Sequence, residues 1–112
     1  MHELSICTAI AGVAERTAAG RRVERVRVDI GHLRQVVPST LGHSWEMVVF
    51  DTPLQGAELE INYVPAVIRC RACAARTELD EPVFRCGRCG SHDTEVVAGD
   101  ELAVTSLDVA RA

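Results

Sequence analysis

The sequence of 112 residues predicts an α+β fold, in which two helices pack on a short sheet and a zinc-ribbon domain is attached. Three observations predict this. Two segments in the first half carry apolar residues at helical spacing. Several shorter segments alternate between apolar and polar residues, as half-buried strands do. Two C-x-x-C pairs lie in the second half, where large apolar residues are few. We therefore expect one domain with a core and one that depends on a metal.

The first helix is predicted over residues 4–19 and the first strand over residues 23–30. Apolar residues recur every three or four positions in the helix, and Gly20 suits its C-terminal end. In the strand, apolar and charged residues alternate, which indicates one buried face. The residues expected on the buried faces are Ile6, Cys7, Ile10, Ala11, Val13, Ala14, Thr17, Ala18, Val26, Val28 and Ile30.

The second helix is predicted over about residues 38–50, and the second strand over residues 57–64. Pro38 suits the first turn of a helix, where its missing N–H costs no hydrogen bond, whereas Gly42 weakens the helix interior. Turn-forming residues between the two elements predict a loop. The expected buried residues are Leu41, Trp45 and Val48 or Val49 in the helix, and Ala57, Leu59, Ile61 and Tyr63 in the strand.

Four further strands are predicted in the second half of the chain. Residues 67–69 and 83–85 each lead into one C-x-x-C turn, so that strand and turn alternate twice. Residues 94–98 and 102–109 read as two strands around a turn at Gly99-Asp100. The last of these is long enough to return to the first domain and pair there.

The chain is expected to divide at Pro65. Residues 1–65 together with 103–112 form the first domain of this prediction, and residues 66–102 form the zinc ribbon. About 35 residues cannot bury enough apolar surface to fold alone, so a bound metal must supply the missing free energy.

The two C-x-x-C pairs are Cys70/Cys73 and Cys86/Cys89. Four thiolates at this spacing predict a tetrahedral metal site, and zinc is the favoured ion. Iron in a rubredoxin-like site is the alternative, because tetrahedral sulfur suits both metals. A disulfide within each pair would be strained. A site with four filled positions is structural. Cys7 is expected to be a small buried residue, with a redox or fifth-ligand role as the minor alternative.

Composition excludes several function classes. A net charge of −4 argues against a nucleic-acid surface. No stretch approaches the length of a membrane span, and the apolar start has no Lys or Arg of the kind that precedes a signal peptide. The paired cysteines favour a reducing compartment, the cytoplasm. No nucleophile with a nearby base and no phosphate loop is recognisable, so we do not expect an enzyme.

The start of the chain, Met1-His2-Glu3, offers a second set of metal ligands. The terminal amine, the His2 backbone nitrogen and the His2 imidazole could chelate one ion in fused rings. Only a metal that displaces an amide proton, Ni²⁺ or Cu²⁺, suits this nitrogen geometry. On spacing alone, a solvated imidazole is the more frequent explanation.

The start and the cysteine pairs together resemble the HypA family, the small nickel metallochaperones of hydrogenase maturation. The resemblance extends over essentially the whole chain, in order. It is carried by Met1-His2-Glu3-Leu4-Ser5-Ile6, the amphipathic helix, Ile30-Gly31, Gly56-Ala57-x-Leu59, the two C-x-x-C pairs and Gly99-Asp100-Glu101-Leu102.

The resemblance implies a nickel-binding α+β domain with a separate zinc-ribbon domain. It assigns nickel to His2, assisted by nearby backbone nitrogens and Glu3, and zinc to the four paired cysteines. It implies transfer of nickel to the large subunit of a [NiFe]-hydrogenase together with the GTPase HypB, and some relatives serve urease maturation factors. Two departures occur: Gly87 stands where Pro is common in the family, and Gly42-His43-Ser44-Trp45 replaces a more apolar run that contains Phe.

Three histidines, His32, His43 and His92, remain, and each is expected to be solvated. His92 lies beside the second cysteine pair, where it could replace Cys89 or couple zinc geometry to pH. Two alternative functions are a zinc-ribbon module for protein or nucleic-acid interaction without nickel, and a rubredoxin-like electron carrier. An exposed edge strand could support a homodimer.

Overall fold

The structure is a computed structural model that describes residues 2–111. The described residues form two α-helices, one short 3₁₀ helix and six strands, which confirms the α+β class. The elements in chain order are α1 (His2–Ala18), β1 (Val23–Gly31), the 3₁₀ helix (His32–Arg34), α2 (Pro38–Val49), β2 (Glu58–Val64), β3 (Ala66–Cys70), β4 (Arg76–Leu79), β5 (Thr94–Ala98) and β6 (Leu102–Val109).

The strands form two three-stranded sheets, in the orders β2-β1-β6 and β4-β3-β5. The chain divides into two compact units, each of which is described by itself. The first comprises the described residues of Met1–Asp29, Val36–Asn62 and Ala103–Ala112. The second comprises Ile30–Gln35 and Tyr63–Leu102. No helix in the described part of the chain is both long and apolar enough to span a membrane.

Helix α1 begins at His2, two residues earlier than predicted, and ends at Ala18. An acidic residue in the first turn, Glu3, favours this early start because it faces the positive end of the helix dipole. Ala19 and Gly20 have φ values of 52° and 85°, which ends the helix near the predicted glycine. The buried residues of the stripe otherwise follow the prediction, but Thr17 is exposed and Val13 is 38% exposed. The predicted inward position of these two residues is therefore wrong.

Strand β1 is the centre of its sheet and has the predicted alternation. Val26, Val28 and Ile30 are buried, whereas the charged residues between them are partly exposed. The charged face pairs with both neighbours: Arg25 Nη2 lies 3.0 Å from Glu58 on β2, and Arg27 Nη1 lies 2.9 Å from Asp108 on β6. Opposite charges on adjacent strands support this register.

Helix α2 begins at Pro38, as predicted, and packs against α1. Leu41, Trp45 and Val49 are buried, and the Trp45 indole N–H donates to the Ala57 carbonyl at 2.9 Å. That bond connects the helix to the residue before β2 and satisfies the indole N–H, which would be costly to bury unpaired. Gly42 lies on the exposed side of the helix.

Strand β2 covers the predicted segment from residue 58 onward. Ala57 is buried and Leu59 and Ile61 are partly buried, but Tyr63 is 42% exposed, so its predicted inward position is wrong. Because β2 is an outer strand with a neighbour on one side only, its end is less covered than the central strand.

In the second unit, β3 is the central strand and pairs antiparallel with β4 and β5. Ala66, Ile68 and Leu79 form a small buried cluster, with Leu33 packed against it. The predicted strand at residues 67–69 is confirmed, whereas the one at 83–85 is wrong.

The strand that precedes the second cysteine pair is β4, and residues 83–85 adopt no regular structure. Both sides of β3 are already occupied, and Pro82 lacks the N–H that a ladder requires. Val83 and Phe84 are exposed as a result.

Strands β5 and β6 have the predicted bounds but join different sheets, and β6 pairs with β1 as expected. Between them, Gly99 has a φ of 108° and lies against the backbone of Ala66, so any side chain there would collide. Its carbonyl accepts the Leu33 N–H at 2.8 Å and lies where a Cβ on Gly31 would project. Three chain segments of the second unit therefore meet here, and neither of the two glycines accepts a Cβ.

Candidate metal centres

The four paired cysteines come together in the second unit. Their sulfur atoms all lie within 4.8 Å of one another. Cys70 Sγ is 3.6 Å from Cys89 Sγ, and Cys73 Sγ is 3.6 Å from Cys86 Sγ. Each of these two sulfur–sulfur contacts therefore joins a cysteine of one C-x-x-C pair to a cysteine of the other pair.

Two tight turns produce this arrangement. In the first, the Ala74 N–H donates to the Cys70 carbonyl at 2.9 Å, and Ala74 has a φ of 64°. In the second, the Gly90 N–H donates to the Cys86 carbonyl at 3.0 Å, and Gly90 has a φ of 77°. In both turns, the residue directly after the second cysteine has a left-handed backbone conformation. Gly90 adopts this conformation without strain.

The sulfur positions fit a tetrahedral metal ion. With zinc–sulfur bonds of about 2.3 Å, the sulfur–sulfur edges of a regular tetrahedron are about 3.8 Å. The two 3.6 Å separations are close to that value. The donor set and its spacing therefore suit Zn²⁺, and all four positions are occupied by protein sulfur.

Backbone N–H groups favour negative charge on the cysteines. The N–H groups of Cys89 and Arg88 each lie 3.4 Å from Cys86 Sγ and lower the pKa of that thiol to about 6. The N–H of Cys73 likewise lowers the pKa of Cys70. At Cys89 the N–H of Ser91 favours the thiolate, but the neighbouring sulfur atoms prevail and raise the pKa to about 11. Without a cation, the four thiols cannot all ionise together, and a bound metal removes this conflict.

At the other end of the chain, the side chains of His2 and Glu3 differ in environment. The His2 side chain is 53% exposed and the Glu3 side chain only 10%. His2 Nε2 lies 3.2 Å from Glu3 Oε2, and the same oxygen accepts the Val37 N–H at 3.2 Å. This N–H lowers the pKa of Glu3, so the carboxylate is ionised at neutral pH. Met1, also predicted as a nickel ligand, lies outside the described residues.

The backbone of His2 is available to a metal. His2 is the first residue of α1, and N–H groups in the first turn of a helix have no carbonyl partner within the helix. An ion that displaces the His2 amide proton would therefore break no helical hydrogen bond.

The contact between Glu3 and Val37 was not predicted from the sequence. Val37 is the N-cap of α2, and its side chain makes no capping hydrogen bond. The N–H of an N-cap residue is commonly accepted by a Glu or Gln side chain at the third helical position, but Thr40 stands there in α2, so the acceptor comes from elsewhere in the chain.

The remaining candidate ligands lie apart from these centres or are buried. His32, His43 and His92 are exposed. Within residues 2–111, the four cysteines are the only group of three or more His, Cys, Asp or Glu side chains close enough to hold one ion. Cys7 is fully buried, its Sγ lies 3.5 Å from the Leu41 carbonyl oxygen, and burial raises its pKa to about 11. It is thus the small buried residue that was expected.

Comparison with known proteins identifies the family. The model of the HypA family, described as a metallochaperone for hydrogenase and urease nickel incorporation, matches residues 1–109. The chain belongs to the HypA family. Hydrogenase maturation factor HypA of Desulfatibacillum aliphaticivorans is 37% identical to this chain, with 98% of the chain and 88% of that protein covered. HypA of Geotalea uraniireducens is 39% identical, with 97% and 99% covered.

A solved structure has the same fold as this chain. The solution structure of the Ni metallochaperone HypA from Helicobacter pylori matches with a TM-score of 0.67 and 20% identity, over 96% of each chain. At this identity the match is evidence for the fold alone.

Membership of the HypA family confirms the predicted role as a nickel metallochaperone of hydrogenase maturation. It also confirms the two predicted metals, transported nickel and structural zinc, and the cysteine cluster fits the second of them. A maturation factor acts together with maturation machinery. Nothing in the comparisons supports a zinc-ribbon module without a nickel function.

Proposed function

We propose that this HypA protein binds Ni(II) at its N-terminus and delivers it for the maturation of a [NiFe]-hydrogenase. The ligands of this proposal are the Met1 amine and the backbone nitrogen and imidazole of His2, with Glu3 assisting. The observation that carries it is the position of His2, which is exposed at the first residue of α1 and lies beside an ionised carboxylate.

The geometry suits a carrier that must surrender its metal. An exposed site at a helix start leaves one side of the ion open to the ligands of a partner, which can replace the first ligands one at a time. The proposed partners are a HypB-type GTPase and the large subunit of the hydrogenase, and urease maturation factors are further candidates. The chain catalyses no reaction of its own in this proposal.

Structural zinc is proposed to bind Cys70, Cys73, Cys86 and Cys89. The cluster supports this because its sulfur atoms have the separation that a four-sulfur zinc site requires. Four reduced cysteines also require a reducing compartment, so we place the protein in the cytoplasm.

The first test is the nickel and zinc content of untagged protein. We expect one nickel and one zinc per chain in the wild type, and zinc alone in His2→Ala, because that variant loses the imidazole. His43→Ala is the matched control, since His43 is an exposed histidine on α2 that takes no part in the site. The measurement is metal analysis after removal of free metal.

Nickel retained by His2→Ala would contradict the proposal, because the ion would then bind elsewhere. The zinc content of His2→Ala must equal that of the wild type, which shows that the variant is folded. The wild type and His43→Ala must give the same values for the comparison to count.

A further inference from the structure

A single carboxylate oxygen connects the imidazole of His2 to the start of α2. Glu3 Oε2 lies 3.2 Å from His2 Nε2 and 3.2 Å from the Val37 nitrogen. Glu3 is buried on α1, with a residue exposure of 7%, whereas the imidazole beside it is exposed. The carboxylate is thus held from the protein side and presents its oxygen to one edge of the ring.

The two nitrogen atoms of the imidazole are not equivalent for chelation. A small ring that contains the His2 backbone nitrogen and the imidazole can close only through Nδ1, because Nε2 lies on the far edge of the ring. A neutral imidazole carries its proton on one nitrogen, and a metal requires the other to be free. Nickel binding in the proposed geometry therefore needs the proton on Nε2.

We infer that Glu3 is a positioning residue that holds the His2 proton on Nε2 and turns Nδ1 toward the backbone nitrogen. This inference rests on the proposed function and specifies how Glu3 assists it. Histidine ligands of metals commonly donate their second N–H to a carboxylate, which fixes the tautomer and the ring orientation. Here that acceptor is the next residue in the chain, and α2 holds it in place.

The contacts favour positioning over direct coordination by the Glu3 side chain. Its Oε2 already accepts the Val37 N–H and faces Nε2 of His2. Nitrogen ligands in a planar arrangement suit Ni²⁺, whereas carboxylates suit harder ions. In this inference the carboxylate acts on the imidazole, and the nitrogen atoms bind the ion.

The test compares Glu3→Ala with Glu15→Ala in zinc-loaded, nickel-free protein. Glu15 lies on the same helix and is exposed, so its removal changes the charge of α1 without touching His2. Nitrogen NMR of ¹⁵N-histidine protein at about pH 8, where ordinary imidazoles are neutral, reports which ring nitrogen carries the proton. The His2 signals are assigned by their absence from His2→Ala.

We expect Glu3→Ala to have a smaller fraction of the Nε2–H form than Glu15→Ala and the wild type. Its nickel dissociation constant is expected to rise by about tenfold or more, the usual effect of losing the acceptor behind a ligating histidine. Glu3→Gln keeps one acceptor oxygen for two N–H groups and carries no charge, so both values should lie between those of Glu3→Ala and the wild type.

Equal Nε2–H fractions in Glu3→Ala and Glu15→Ala would overturn the inference, even if Glu3→Ala bound nickel weakly, because Glu3 would then act only on the fold. Zinc content and the amide spectrum of α2 show whether the fold is kept. Failure of the proposed function would look different: His2→Ala would bind nickel as the wild type does, whatever the proton positions are.

Discussion

At the scale of residues, the proposed N-terminal nickel centre involves two neighbouring residues in different environments. His2 is exposed and offers nitrogen atoms, whereas Glu3 is buried and offers an oxygen that the start of α2 holds in place. An exposed ligand can be reached by a partner, and a buried neighbour keeps that ligand oriented. In our proposal, the terminal amine supplies a further nitrogen.

Extension of the N-terminus is a direct test of that amine. A short Gly-Ser extension before Met1 turns the amine into an amide, so we expect it to weaken nickel binding about as much as His2→Ala does. Placing the same extension after Ala112 should leave binding unchanged. The measurement is nickel affinity by titration in the presence of a competing chelator. If both extended proteins bind nickel as the untagged protein does, the amine is not a ligand.

At the scale of elements, the proposed zinc centre connects two segments of the second unit. Cys70 ends β3, the central strand, and Cys86 follows β4 after a segment without regular structure. The buried cluster of this unit is small, so we expect metal binding to supply a large part of its folding free energy. The division of the chain into one domain of residues 1–65 and 103–112 and a second domain of residues 66–102 stays a prediction. The dependence of the second domain on zinc offers a way to test it.

Removal of one zinc ligand should separate the two units. We expect Cys73→Ala to lose zinc and the ordered amide signals of β3, β4 and β5, while α1 keeps its signals, because α1 draws its core from other elements. Cys7→Ala is the control, since Cys7 is a buried cysteine outside the cluster. Zinc content and two-dimensional amide spectra are the measurements. Loss of α1 in Cys73→Ala would show that the two parts fold as one.

The elements that could be predicted are those whose local pattern decides their structure. The alternation of apolar and charged residues predicted β1, and the cysteine spacing predicted the metal cluster. Both signals are local, because strand pleat and turn geometry act over a few residues. The strand expected at residues 83–85 failed because its partner strand was already paired on both sides. The contact of Glu3 with Val37 joins residues 34 positions apart, and no local pattern reports such a distance.

At the scale of the whole molecule, the protein combines two kinds of metal site. The cysteine cluster offers four sulfur atoms that would surround a bound ion, whereas the proposed nickel centre has few ligands and is exposed at His2. Closed coordination retains a metal, whereas open coordination allows exchange with a partner. This difference accords with a protein that keeps zinc and carries nickel.

Acid should release nickel, because binding needs a deprotonated amine and a neutral imidazole. We therefore expect the nickel content of the protein to fall as the pH is lowered from neutral towards about pH 5. The pKa of Glu3 lies below its usual range, so this carboxylate stays ionised there and does not cause the loss. Dialysis at a series of pH values followed by metal analysis measures the release. Full nickel retention at pH 5 would exclude the amine–imidazole site.

The close approach of Gly31, Gly99 and Ala66 affects how the sequences of relatives should be read. Gly31 and Gly99 tolerate no side chain for steric reasons alone, although neither offers a side-chain metal ligand. A survey of tolerated substitutions would rank them beside the cysteines and His2. Invariance across the family is therefore insufficient to assign a residue to metal transfer. For each invariant position, one must also ask whether an added side-chain carbon would collide with neighbouring atoms.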